Sequence, residues 1–124
     1  MRPIVLLVED ELACGATLEV AFEDGDAPSF QHTATAEQAL AILRDRSISA
    51  LITDINLPLM DGLELIRRIR AEPDLAQLPI VVTSAETDGE TSEQALRLGA
   101  NAFFPKPYSP FAVRQKIEEL IRDA

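Results

Sequence analysis

The chain has 124 residues, and 21 Asp+Glu against 11 Lys+Arg give it a formal net charge of -10. That length suits one domain with one core, and 47% hydrophobic with 26% charged residues excludes a disordered or fibrous chain. The acidic balance argues against nucleic acid or an anionic membrane as the main partner, no apolar run approaches the roughly 20 residues of a membrane span, and a lone Cys14 excludes an internal disulfide.

Ile4 to Val8 is a short apolar run and reads as a first strand. Glu9, Asp10 and Glu11 end it too early for a signal peptide, and no small-residue cleavage site follows, so a cytoplasmic protein is expected. Leu12, Ala16, Glu19 and Val20 begin a first helix. The stretch Glu23 to Ser29, with Gly25 and Pro28, reads as a loop into a weaker strand, Phe30 to Thr33. Ala36, Ala39, Leu40 and Leu43 have the spacing of a second helix. Ala50 to Thr53 is the third strand, which Pro58 ends. Asp61-Gly62 then supplies cap and turn chemistry for a third helix, Leu63 to Arg70. That helix is expected to turn Leu63, Ile66 and Ile69 inward, with Arg67, Arg68 and Arg70 on a solvated face. Ile80 to Thr83 is a fourth strand, followed by a helix from about Glu90 to Leu98 with Gly99 as its C-terminal cap. A fifth strand, Ala102 to Phe104, precedes a last helix from Pro110 to Arg122, with Val113, Ile117, Leu120 and Ile121 along one side.

Strand and helix thus alternate five times. Uninterrupted apolar strands separated by helices imply right-handed crossovers and a parallel, doubly wound sheet covered on both faces. In such sheets ligands sit beyond the carboxyl ends of the strands.

Those ends carry the chemistry. Glu9 and Asp10 follow the first strand and Asp54 follows the third. If these strands are neighbours, three carboxylates converge, and like charges so close repel unless a cation neutralises them. Oxygen ligands without His or Cys favour a hard cation, and a site that keeps waters suits Mg2+. The plainer alternative is a solvated helix start favoured by the macrodipole, with Asp54 merely capping a loop. A carboxylate such as Asp54 can also serve as a phosphoryl nucleophile. Ser84 and Lys106, at two further strand ends, offer a hydroxyl and an ammonium for phosphoryl oxygens. Lys106 lies between two prolines, and one of the two X-Pro bonds there is a candidate for the cis form.

Five segments, Val8-Glu9-Asp10-Glu11, Leu51 through Pro58, Met60-Asp61-Gly62, Pro79 through Ala85 and Phe104-Pro105-Lys106-Pro107, occur in an order and spacing that resemble the receiver domain of bacterial two-component response regulators, of the single-domain, chemotaxis-regulator type. The resemblance runs from Ile4 to about Ile121. It implies a flavodoxin-like α/β fold, a doubly wound (βα)5 with a five-stranded parallel sheet of order 2-1-3-4-5. It also implies that Asp54 is the phosphoacceptor, and that Glu9, Asp10, Asp54 and the backbone carbonyl of Asn56 hold Mg2+. Ser84 takes the switch hydroxyl position, since the following Ala85 registers it there in preference to Thr83. Lys106 is the phosphate-contacting lysine and Phe103 the switch aromatic. Asn56 and Glu86 fall where the family tunes dephosphorylation, and this pair looks like the short-lived end. Pro105 departs from the usual aliphatic residue.

On this resemblance the expected protein is a signalling switch rather than a metabolic enzyme, catalysing only its own phosphorylation and dephosphorylation. Its expected partners are a histidine kinase or histidine phosphotransfer protein and a downstream target protein, with no direct nucleic acid and no membrane. The fourth helix, fifth strand and last helix would change partner affinity. Residues 1–124 are expected to be one receiver domain with no output domain, either complete or cut from a longer protein. The alternative function is a Mg2+-dependent aspartyl-phosphate phosphatase-like enzyme. It needs a second Asp two residues after the nucleophile, where Asn56 stands. A flavin module on the same fold would need a phosphate loop where Glu9-Asp10-Glu11 stands. His32, the only histidine, reads as structural or surface, and Cys14 as a small helix residue. Phe103, Tyr108 and Phe111 are candidates for a partner surface, core packing being as good an account of Phe111.

Overall fold

A computed structural model describes residues 2–85 and 89–124. Its five strands are β1 (Ile4–Val8), β2 (Ser29–Thr33), β3 (Ala50–Asp54), β4 (Ile80–Ser84) and β5 (Ala102–Pro105). The helices are α1 (Leu12–Val20), α2 (Ala36–Asp45), α3 (Gly62–Ala71), α4 (Gly89–Leu98) and α5 (Pro110–Asp123), with a 3-10 turn at Pro73–Leu75 that the apolar spacing does not announce. All the strand pairs are parallel, in the order β2-β1-β3-β4-β5. This is the flavodoxin-like, doubly wound architecture expected from the sequence.

Alternation along the strands divides the core in two. Leu6, Val8, Leu51, Ile80 and Val82 pack with α2 and α3 residues on one face. Val5, Leu7, Ile52 and Val81 pack with Leu18 of α1 and with Val113 and Ile117 of α5 on the other. The central strands β3 and β4 are buried along their whole length, as their unbroken apolar sequence requires.

Caps set the helix starts. Asp61 Oδ1 accepts from Glu64 N at 2.9 Å, and Ser109 Oγ accepts from Ala112 N at 3.3 Å, with Pro110 in the first turn of α5. Gly99, at φ 118, ends α4 in a conformation that other residues rarely adopt. Leu63 turns inward as expected, half-buried against the core that buries Ile66 and Ile69, and Leu65 is fully buried beside them. One expectation for α3 needs correction. Arg67 and Arg68 do pair at the surface with Glu64, but Arg70 does not join a solvated face. Its guanidinium donates to the carbonyls of Gly99, Leu75 and Ala76 and to Asn101 Oδ1, tying α3 to the turn before β5.

The loop from β3 to α3 is tightly built. Gly62 N donates to Ile55 O at 2.8 Å, and a Cβ on Gly62 would overlap the carbonyl oxygen of Asp54. Leu59 in the same loop has φ 66 and is 93% exposed, so its side chain buries almost nothing to offset its left-handed backbone. Gly62→Ala is expected to lose about 2–3 kcal/mol of stability through overpacking. Leu59→Asn is expected to gain about 1 kcal/mol, since Asn tolerates that conformation. Urea denaturation at unchanged m reads both, and equal midpoints for Leu59→Asn and wild type would refute the second.

Candidate functional site

Pairing of β1 with both β2 and β3 puts the residues after β1 beside the end of β3. Glu9, Asp10 and Asp54 there each offer a carboxylate oxygen, all within 4.8 Å of one another. Glu9 is 1% exposed and Asp54 4%, whereas Asp10 is open to solvent. From β5, two strands away, Lys106 reaches across. Its Nζ donates to Glu9 Oε1 at 3.0 Å and to Asp54 Oδ2 at 3.1 Å. The Lys106-Pro107 peptide is the cis one of the two candidates.

The electrostatics follow from burial and these contacts. Burial pushes the Glu9 carboxyl up, and the Lys106 ammonium and the Glu11 N–H only partly offset that. Burial also disfavours the charged form of Lys106, but the hydrogen bond to Glu9 and the charge of Asp54 outweigh it and hold the ammonium above its ordinary value. Tyr108, whose hydroxyl is pushed up to about 12 chiefly by burial, stays neutral beside them. One ammonium thus contacts two of the three converging carboxylates.

The donor set fits a divalent hard cation. Asp54 Oδ1 is buried with no hydrogen-bond partner among the described residues, an orphaned acceptor beside two more carboxylates. All the side-chain donors are oxygens, with Asp10 exposed so that waters can complete the shell. Asn56, whose carbonyl was expected to join them, is exposed on the loop just beyond β3.

The other expected residues divide by face. Asp54 is in register with Thr83, and Val82 with Phe103. Ser84, two residues beyond Val82, therefore lies on the Phe103 face and Thr83 on that of Asp54. Ser84 is fully buried, its carbonyl accepting from Lys106 N at 2.7 Å. Thr83 Oγ1 is buried without a partner among the described residues. Phe103 is half-buried against the α3 side of the core, and Tyr108 against the α1 and α5 side. Phe111 is exposed, which removes the core-packing account of it. Glu86 lies outside the described residues. Cys14 is half-buried on α1, its thiol 3.4 Å from Glu11 Oε2. A mostly apolar cleft of about 330 Å3 runs between it, Thr17, Lys106, Pro107 and Tyr108. His32, read from the sequence as structural or surface, places its Nε2 2.7 Å from the Glu9 carbonyl, a contact that the sequence around it does not announce. A glycine inside the α1 pattern, at Gly15, was the available signal.

Fold and site together define a class: a doubly wound α/β protein with an acidic, lysine-paired pocket at its strand ends. The model of the response regulator receiver domain matches residues 5–118, and the chain belongs to that family. It is 33% identical over 94 residues to the chemotaxis protein CheY of Pseudomonas aeruginosa, covering 73% of this chain and 76% of that one. A CheY homologue of Campylobacter jejuni is 32% identical over 80 residues, 64% of this chain, and the match spans only 62% of that relative's length. Among solved structures, a putative response regulator from Chloroflexus aurantiacus superposes with a TM-score of 0.91 at 26% identity, covering 98% of this chain and 99% of that one. CheY4 of Vibrio cholerae, at 22% identity and a TM-score of 0.86 over 97% of this chain and 99% of its own, shares the fold. Receiver domains are signalling switches rather than enzymes of metabolism, work with kinases and downstream targets, and typically bind Mg2+ in an acidic pocket. No helix among the described residues is long and apolar enough to cross a membrane.

Lys106→Met is expected to lose about 3 kcal/mol at neutral pH, because it strands two buried carboxylates without a cation. A raised Lys106 contributes fully below its unfolded value near 10.5 and is lost only as pH rises through its higher folded value, so wild type keeps that contribution from pH 5 to 9. In the variant the raised Glu9 dominates. Its protonation favours the folded state, so the deficit should shrink as pH falls from 7 towards 5. Urea midpoints across that range, with a deficit that instead grew in acid, would exclude this account.

Proposed function

We propose that this chain is a two-component receiver that accepts a phosphoryl group on Asp54, from a histidine kinase or histidine phosphotransfer protein, and thereby switches its contacts with a downstream protein. The observation that carries the reading is the convergence of Glu9, Asp10 and Asp54 around a buried, unpaired Asp54 Oδ1 with Lys106 at its side. Glu9, Asp10, Asp54 and the Asn56 carbonyl are the residues assigned to Mg2+. Bound there, Mg2+ supplies charge neutralisation to the site and to the incoming phosphoryl oxygens.

A carboxylate oxygen of Asp54 forms the new P–O bond while the P–N bond to the donor imidazole breaks, and the nitrogen keeps the electron pair. Burial of Asp54 limits access of water to the resulting acyl phosphate, and Asn56 and Glu86 are assigned to tuning how fast it hydrolyses. Lys106 contacts the phosphoryl oxygens as a point charge on a long stem. Ser84 donates its hydroxyl to a phosphoryl oxygen, and Phe103, on the same face of the sheet, moves into the space released. The surface of α4, β5 and α5 then changes its affinity for a partner. The dianion biases a two-state arrangement through charge-assisted hydrogen bonds. Residues 1–124 act in this as one receiver domain.

Incubation with a small phosphodonor should add the mass of one phosphoryl group to intact protein, dependent on Mg2+ and absent in Asp54→Asn. Ser84→Ala should still take up the group but lose the change in surface, read as backbone amide shifts in α4 and β5. An adduct retained by Asp54→Asn, or steady turnover of a phosphomonoester by wild type, counts against the proposal.

A further inference from the structure

The geometry points to His32 as a positioning residue: its imidazole clamps the peptide that joins Glu9 to Asp10 and so sets how those two carboxylates converge on Asp54. The inference rests on the reading of these three residues as a Mg2+-holding phosphoacceptor site.

The need for a clamp arises where the sheet stops. Glu9 N donates to Thr33 O at 3.0 Å, continuing the ladder between β1 and β2 by one step. In a parallel ladder the Glu9 carbonyl would next accept from the N–H of Thr35. The chain there has already turned away, with Thr35 as the N-cap of α2, accepting from Gln38 N through its side chain. The donor comes instead from the His32 ring, whose Nε2 lies 2.7 Å from that carbonyl. A carbonyl can only accept, so Nε2 carries the proton. Consecutive residues of an edge strand therefore hold both backbone polar groups of Glu9, one through a carbonyl and one through a side chain.

A second observation shows that the ring is accommodated deliberately. Gly15 stands within the nine-residue helix α1, where glycine costs about 1 kcal/mol relative to alanine. It has no positive φ to justify it. A Cβ there would overlap the His32 imidazole. Helix propensity has been given up to seat the ring.

The consequence for the site is geometric. The Glu9 carbonyl belongs to the same planar unit as the Asp10 nitrogen, so fixing that plane fixes the start of Asp10 as well as the end of Glu9. The Glu9 side chain is held in turn by Glu11 N at 3.2 Å and Lys106 Nζ at 3.0 Å. Without the ring the plane can rotate, and the two carboxylates lose their common aim. A hydrogen bond one shell outside a metal site commonly changes affinity by about 10–100-fold.

The test is calorimetric titration of the full chain with Mg2+, alongside urea denaturation of the metal-free protein. His32→Leu is expected to weaken Mg2+ binding about tenfold, and His32→Gln, whose amide nitrogen can occupy the Nε2 place, to stay within about threefold of wild type. Gly15→Ala, though the better helix former, should weaken binding like His32→Leu by displacing the ring. It also serves if His32→Leu does not fold. A purely structural histidine would move the urea midpoint and leave Mg2+ affinity alone. Nitrogen-15 shifts of the neutral ring should place the proton on Nε2. Wild-type affinity in His32→Leu or in Gly15→Ala, or a proton on Nδ1, overturns the clamp while the phosphoacceptor reading stands. Wild type that binds no Mg2+ overturns that reading and the clamp with it.

Discussion

The Lys106 ammonium between the Glu9 and Asp54 carboxylates is the contact on which the rest of the strand-end architecture depends. Two carboxylates this deeply buried would each favour protonation or exposure if left alone. A single cation shared between them offsets part of that cost for both at once, and it does so from β5, at the opposite side of the sheet from β1. The balance is deliberately incomplete. With Asp10 alongside, negative charge exceeds positive, and Asp54 Oδ1 has no hydrogen bond at all among the described residues. Such a site is unsatisfied enough to attract a cation or an electrophile.

Topology makes this contact possible. The winding reverses between β1 and β3, so neighbours in the sheet are far apart in sequence, and Lys106 meets Glu9 across 97 positions. Because both sheet faces are buried, the strand ends are fixed by the core rather than by the loops that follow them. The loops are then shaped around the site. Gly62 comes so close to the Asp54 carbonyl that no side chain fits, and Leu59 holds an unfavourable backbone to let the chain return. These are local violations of propensity of the kind a functional site tolerates.

What the sequence made legible follows the same division. Strand positions and the residues at their ends were readable because a buried parallel strand is an unbroken apolar run, and a charge directly after such a run has to lie at the sheet's edge. Glu9, Asp10, Asp54 and Lys106 were all found this way. Residues whose role depends on a particular partner were not. Arg70 reads as one of three surface arginines, yet its acceptors are mostly backbone carbonyls, supplied partly by a turn 29 positions away, and carbonyls leave no mark on a sequence. His32 reads as structural or surface, and its partner too is a carbonyl. Leu65, which the inward set of Leu63, Ile66 and Ile69 leaves out, is buried with them because the apolar stripe is wider than that spacing.

The division of the two hydroxyls at the end of β4 bears on how a charge at Asp54 could be felt at a distance. Thr83 shares a face with its register partner Asp54, and Ser84 shares the other with Phe103. A group acting from Thr83 would act on the side packed by α1 and α5. A group acting from Ser84 moves on the side where Phe103 packs and where α4 touches α3 and β5. Strand alternation therefore sets Ser84, and not its neighbour, on the side of the sheet where Phe103 packs and α4 touches β5. Phe103 lies on that side as well, whereas the Phe104 ring lies against the opposite core.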